Sequence, residues 1–269
     1  MIPLKKSKFI FSYNNQNYEK LDIFQALRNL GIKHGDSVFV HSDVARFGKI
    51  IPGTKRDEYL EAFLDALKDA VGRNGNVIMP SFTYSFCKKE IFYPLYSPST
   101  VGILSEYFRK QSGVSRSLDA IFSVAAYGPL KSYFTKVGTN CFGENSIFEK
   151  LYLKNVKIVF VGNTFDITYM HFIEQRFGVP YRFMKKFEGK IEVDGELKRY
   201  TFDYNVRDLE VDVVYNLEKI ARFLENRGVL STVKLGYSKI RIISAVNAYD
   251  VLFEGLKNNV WLLCKKKKK

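Results

Sequence analysis

Cysteine, histidine and long apolar runs are all scarce in this chain. The three cysteines, Cys87, Cys141 and Cys264, are odd in number and far apart. That excludes a disulfide framework or a paired-cysteine metal site and leaves reduced, mostly buried thiols as the expectation. No run approaches the roughly 20 consecutive apolar residues of a membrane helix, and the start MIPLKKSKF lacks the apolar core and cleavage site of a signal peptide, so a cytoplasmic protein is expected. Four common signatures are missing as well: GxGxxG after a strand, GxxxxGK[ST], GxSxG and HExxH. Only three histidines occur, and a zinc site built on His41 and His171 would lack a third convincing ligand, so no metal is expected. No linker, low-complexity segment or repeat interrupts residues 1–264, which reads as one domain; the basic tail 265–269 is expected to be disordered.

What is present supports a large core: 46% of the 269 residues are hydrophobic and 15% aromatic. The formal charge is +14, and without Lys265 to Lys269 there remain 37 basic against 28 acidic residues, a body of +9. Such a field concentrates anionic partners without saying which. Charge and 40 Tyr and Phe residues together raise the question of a stacking platform for nucleic acid. The aromatics fall largely at the periodic apolar positions of helices and strands, which makes them core, and no nucleic-acid partner is expected.

Strands and helices alternate. Leu21, Phe24, Leu27 and Leu30 recur at helical spacing and stop at Gly31; GDSVFVHSD reads as a strand that ends in His41, Ser42 and Asp43. Thr54 and Asp57 open a helix that closes at Gly72, and the strand NVIMP follows. Ser99 or Thr100 caps the next helix, then come the strand FSVAAYG, a helix over 146–153, and VKIVFVG, apolar throughout as expected of a strand covered on both faces. From about 187, KIEVDGELKRYTF alternates around Asp194-Gly195, a type I′ hairpin signal. A helix over 213–227, a strand over 239–244, a helix over 248–256 and a final strand NVWLLC complete the chain. The expectation is an α/β layered fold with a central, largely parallel or mixed sheet flanked by helices, plus a β-hairpin insertion in the C-terminal half.

Four polar clusters remain: VHSD (40–43), PSFTYS (80–85), RSLDAIFS (116–123) and TYMHFIE (168–174). In open α/β sheets ligands gather beyond strand ends, where three of these lie. Within the last, His171 and Glu174 would share a helix face, three residues apart. Thr168 as N-cap places His171 in the first turn, where the helix N-terminus disfavours imidazolium and keeps the ring neutral. Such a ring accepts a proton, and Glu174 would hold its other nitrogen, the logic of a triad without its serine. The competing reading is a buried histidine with a satisfied hydrogen bond. Arg116 is a fixed fork suited to phosphate, and Ser117 and Ser123 can donate hydroxyl hydrogen bonds.

The order of these clusters resembles the aminoglycoside 3-N-acetyltransferases and their antibiotic N-acetyltransferase relatives. The resemblance rests on LGIKHGDSVFVHSD, GNVIMPSFTYS, PSTVGILSEYFRK with RSLDAIFSVAAYG, and VGNTFDITYMHFIEQRFGVPYR, and spans nearly the whole chain. It implies acyl-coenzyme A, in the first place acetyl-CoA, as cosubstrate and an amine on a sugar ring as acceptor. It makes His171 the general base and Glu174 its partner, and puts His41, Ser42, Arg116, Ser117 and Ser123 at the coenzyme A site, with Asp43, Thr83 and Phe122 as further candidates. Two positions depart from the pattern: drug-modifying members carry His-Pro where this chain has Asp119-Ala120, and a second Ser where it has Asp43. Because a basic body repels polycations on average, the sequence favours a nucleotide-linked amino sugar of surface-glycan biosynthesis as acceptor over an aminoglycoside antibiotic. Monomer or homodimer is left open.

Overall fold

The computed structural model describes residues 8–163, 165–211 and 213–266. A seven-stranded sheet runs in the order Ser231–Leu235, Ser238–Ser244, Lys157–Val161, Ser37–Ser42, Asn76–Pro80, Val124–Tyr127, Ser115–Arg116. Only the three central strands are parallel: Ser37–Ser42 lies between Asn76–Pro80 and Lys157–Val161, and every outer pairing is antiparallel. The sheet is thus mixed: at its edge a tight reversal from Leu235 to Ser238 can only produce antiparallel neighbours, whereas Asn76–Pro80 with Val124–Tyr127 and Lys157–Val161 with Ser238–Ser244 pair antiparallel across long intervening stretches.

Apolar residues on alternate sides of the strands build two cores. Val38, Val40, Val77 and Val159 pack on one face, beneath the helices Lys20–Asn29, Arg56–Val71 and Ile103–Phe108. Phe39, Ile78, Ile158 and Phe160 pack on the other, beneath Ile147–Leu153, Met170–Phe177 and Ala245–Asn258. The central strands are therefore apolar throughout, as VKIVFVG suggested.

Several boundaries differ from the sequence reading. The helix Arg56–Val71 starts after Lys55, and Thr54 does not cap it; Gly102 rather than Ser99 or Thr100 precedes Ile103–Phe108. The hairpin is longer than expected, Arg182–Val193 paired with Glu196–Arg207, and turns at Asp194 and Gly195 with φ of 56° and 82°, the two positive values a type I′ turn needs. Val213–Tyr215 is a strand and its helix begins only at Leu217. That strand pairs with Cys264–Lys266, so the final strand starts where NVWLLC was expected to end. Lys265 and Lys266 of the basic tail are thereby ordered; 267–269 lie outside the described residues. A three-stranded sheet of Phe9–Tyr13, Gln16–Glu19 and Lys49–Ile50 was not foreseen. Among the described residues no helix is long and apolar enough to cross a membrane.

Candidate active site

The helix Met170–Phe177 follows directly from the loop after the central strand Lys157–Val161. Its N-cap is Tyr169, with no side-chain cap, so Thr168 does not play the capping role expected of it; the Thr168 carbonyl instead accepts from the His171 N–H at 3.0 Å. His171 still stands in the first turn. At the other end Gly178, at φ 79°, reverses the chain, and its N–H bonds back to the Glu174 carbonyl. This reversal returns Tyr181 and Arg182 to the helix they have just left.

The result is a buried constellation around one carboxylate. His171 Nδ1 lies 2.6 Å from Glu174 Oε2, Arg182 Nη1 donates to the same oxygen at 3.0 Å, and the Tyr215 hydroxyl donates to it at 3.2 Å. The Tyr181 hydroxyl donates to Oε1 at 3.0 Å. Glu174 is fully buried, which alone would raise its pKa. The His171 ring, Arg182 and the Tyr181 hydroxyl reverse that and hold it below the usual carboxylate range. For His171, burial first and the Arg182 charge second push the imidazole pKa down, against the upward pull of Glu174.

The tautomer follows from the distances. Two heavy atoms 2.6 Å apart need a hydrogen between them, and an ionised carboxylate has none, so Nδ1 carries it. Arg182 Nη1, 2.8 Å from Nδ1, therefore cannot donate there, and its two hydrogens go to Glu174 and to the Tyr215 hydroxyl at 3.0 Å. Nε2 is left as the acceptor. The ring is mostly buried but open to a groove of about 750 Å³, whose walls include Tyr84, Cys87, Phe187, Tyr204 and the charged Lys185, Arg207, Asp208 and Glu210.

A second cavity, about 340 Å³, lies at the ends of the central strands. Its walls include His41, Ser42, Phe82, Tyr84, Asp166 and Thr168. His41 stacks on Phe160 at 5.5 Å with its edge to Phe39, and burial pushes its pKa down to about 3, so it is neutral at physiological pH. Its Nε2 and the Ser42 hydroxyl are buried with no hydrogen-bond partner among the described residues. Orphaned polar atoms on a cavity wall fit a ligand rich in amides and carbonyls, since each otherwise costs free energy. Tyr84 lines both spaces.

The other sequence candidates stand elsewhere. Asp43 follows the strand beside the cavity without lining it, 3.9 Å from Arg46. Arg116 donates to the carbonyls of Pro94, Ser97 and Ser81 and to the Ser123 hydroxyl, over the Phe92 ring, so its fork holds the chain instead of facing a cavity. Ser117 accepts from the Val124 N–H, Ser123 donates to the Ser81 carbonyl, and Thr83 donates to the Ala120 carbonyl, all buried. Phe122 packs between Phe82, Phe142 and Tyr204. None of these five lines either space. Arg182, Tyr181 and Tyr215 were not singled out: the first two sit in VPYR, within a quoted run, but only the reversal at Gly178 shows what they touch. Among the described residues no group of three His, Cys, Asp or Glu could hold a metal.

Known proteins place the chain in a family. The family model of the aminoglycoside 3-N-acetyltransferases matches residues 39–257. The SPbeta prophage-derived aminoglycoside N(3′)-acetyltransferase-like protein YokD of Bacillus subtilis (strain 168) is 25% identical over 265 residues, 89% of this chain and 93% of the relative. Its crystal structure superposes with a TM-score of 0.73 over 89% of this chain and 99% of that one, at 25% identity. An aminoglycoside N(3)-acetyltransferase III from Salmonella sp is 25% identical over 179 residues, 59% of this chain and 60% of its own. The structure of AAC-VIa bound to sisomicin shares the fold, with a TM-score of 0.77 over 90% of this chain and 98% of that one, at 21% identity. On the extent of the family match, the chain belongs to the aminoglycoside 3-N-acetyltransferase family, whose members draw on acetyl-CoA.

Proposed function

We propose that this protein moves the acetyl group of acetyl-CoA directly onto an amine of an aminoglycoside, with both substrates bound together. The 2.6 Å contact that commits His171 Nδ1 to Glu174 carries the reading, because it leaves Nε2 a bare acceptor on the wall of an open groove. The smaller cavity, with the orphaned His41 Nε2 and Ser42 hydroxyl, takes the amide-bearing arm of the donor. The groove takes the sugar.

As the amine nitrogen attacks the thioester carbonyl carbon, it must lose one proton, and His171 Nε2 takes it. Glu174, held ionised by four donors, stabilises the imidazolium that forms. Collapse of the tetrahedral intermediate breaks the C–S bond; the leaving thiolate recovers the proton from His171, and amide and free thiol result. Cys87, on the groove, is pushed up to about 11 by burial and stays a thiol at neutral pH, which disfavours an acyl-enzyme route.

Relatives named for aminoglycosides favour the antibiotic acceptor over the nucleotide-linked sugar that the basic body suggested. The groove's own walls carry Asp208 and Glu210 beside Arg182, Lys185 and Arg207, so carboxylates that could pair with an ammonium group stand there despite the basic body. Thiol release from acetyl-CoA against a panel of aminoglycosides and nucleotide-linked amino sugars tests this. Turnover confined to aminoglycosides is expected; turnover confined to the nucleotide-linked sugars would overturn the acceptor, and an acetylated Cys87 or Cys141 by intact mass would overturn direct transfer.

A further inference from the structure

Tyr84 has a backbone φ of 56°, a left-handed conformation uncommon for an aromatic residue and costing on the order of 1–3 kcal/mol. Its surroundings over-determine it. The N–H groups of Thr83 and Tyr84 both donate to the Ile121 carbonyl, at 3.3 and 3.2 Å, and that of Ser85 donates to the Ala120 carbonyl at 2.9 Å. The turn that offers these carbonyls is tied in its place by Asp119 Oδ1, which accepts from the Ile121 and Phe122 N–H groups at 2.8 Å each. Edge contacts with Phe82 and Phe122 hold the ring.

Strain retained against such a scaffold marks a position where the side chain's placement matters. Among the described residues Tyr84 is the one shared by the walls of the His41 cavity and the His171 groove. Its hydroxyl feels Asp166 from one wall and Tyr204 and Cys87 from the other, and burial keeps it protonated. The Tyr181 and Tyr215 hydroxyls donate hydrogen bonds to Glu174, whereas no hydrogen bond of the Tyr84 hydroxyl occurs among the described residues. A neutral donor with no hydrogen-bond partner among the described residues thus stands where a thioester in one space would meet an amine in the other.

We infer that Tyr84 is a catalytic residue whose hydroxyl donates a hydrogen bond to the thioester carbonyl oxygen as that oxygen becomes the oxyanion of the tetrahedral intermediate. It transfers no proton: the carbonyl electron pair moves onto oxygen as the C–N bond forms and returns as the C–S bond breaks. The assignment rests on the transfer reading above.

The test is Tyr84→Phe, read in two ways. With an aminoglycoside that the native protein acetylates, kcat should fall by about 10²–10³-fold, the cost of losing one oxyanion donor, with KM for acetyl-CoA little changed. Isotope-edited infrared spectra of bound [1-¹³C]acetyl-CoA, taken without acceptor, should show a lowered carbonyl frequency in the native protein that returns toward the free value in the variant. A kcat within a few-fold of native, or a slowed variant with an unmoved band, overturns the assignment. Because the band needs no acceptor, a native protein that acetylates nothing defeats the transfer reading while the spectrum still decides the Tyr84 contact.

Discussion

Arg182 and His171 stand 2.8 Å apart, Nη1 to Nδ1, and because Nδ1 commits its hydrogen to Glu174 both nitrogens are donors and no hydrogen bond joins them. The guanidinium is there for Glu174 and Tyr215, yet its charge also presses on the imidazole and opposes protonation. One residue thus keeps the carboxylate ionised and the base neutral, two conditions that Glu174 alone would set against each other.

Removing that charge should move the acidic limb of the rate profile. Activity needs neutral His171, and with Arg182→Gln the pull of Glu174 on the imidazolium is opposed by burial but no longer by that charge, so the His171 pKa rises. The acidic limb of kcat/KM should shift to higher pH. A limb that stays in place or moves to lower pH refutes the role.

Glu174→Gln keeps the shape but offers Nδ1 an amide that need not accept. The wrong tautomer then becomes available and the imidazolium loses its counter-charge, so kcat should fall by about 10²–10⁴-fold, measured as thiol release at the native optimum. Acetyl-CoA affinity by calorimetry should hardly change, since the smaller cavity does not include Glu174.

Arg116 separates binding from architecture. A lysine cannot reproduce a fork that serves three carbonyls and a hydroxyl, and Arg116→Lys strands buried acceptors. Denaturant titration should show a loss of about 2–3 kcal/mol. The folded fraction should bind acetyl-CoA nearly as the native protein does; a large loss of affinity with unchanged stability would restore the donor-site expectation.

Asp119 and His41 should impose opposite slopes on stability. Burial raises Asp119 to about 6, so the folded chain holds a proton that the unfolded chain has lost above its ordinary pKa; its contribution is complete below about 4 and lost as pH climbs to 6. His41, lowered to about 3, contributes fully above 6.5 and loses that contribution as pH falls. Asp119→Asn should therefore gain on the native protein by about 1.4 kcal/mol per pH unit between about 4 and 6, then level off. Unfolding free energies at four or five pH values check this, and a flat difference would mean that Asp119 is ordinary.

Legibility was uneven. Helix and strand alternation could be read because apolar spacing reports which side of an element meets the core, and strands buried on both faces show as unbroken apolar runs. The two outer parts of the sheet could not, since strand direction depends on how a loop returns. His171 and Glu174 were readable as a pair because three residues on a helix is a local distance. Arg116, Ser117 and Ser123 carried the right chemistry for a phosphate, but side-chain chemistry does not say whether the partner is a ligand or the chain's own backbone; here it is the carbonyls of Ser81, Pro94 and Ser97 and the N–H of Val124.

The sequence by itself determined the layered fold, the family and the helical pairing of His171 with Glu174, all of which depend on short-range periodicity or on the order of motifs. Only the tertiary structure decided what that pair experiences. Arg182 arrives through a left-handed reversal, Tyr215 from a strand 41 residues beyond Glu174, and Tyr84 from a strained turn pinned by Asp119. Burial and charge at a site are sums over neighbours in space, and the chain order does not contain them.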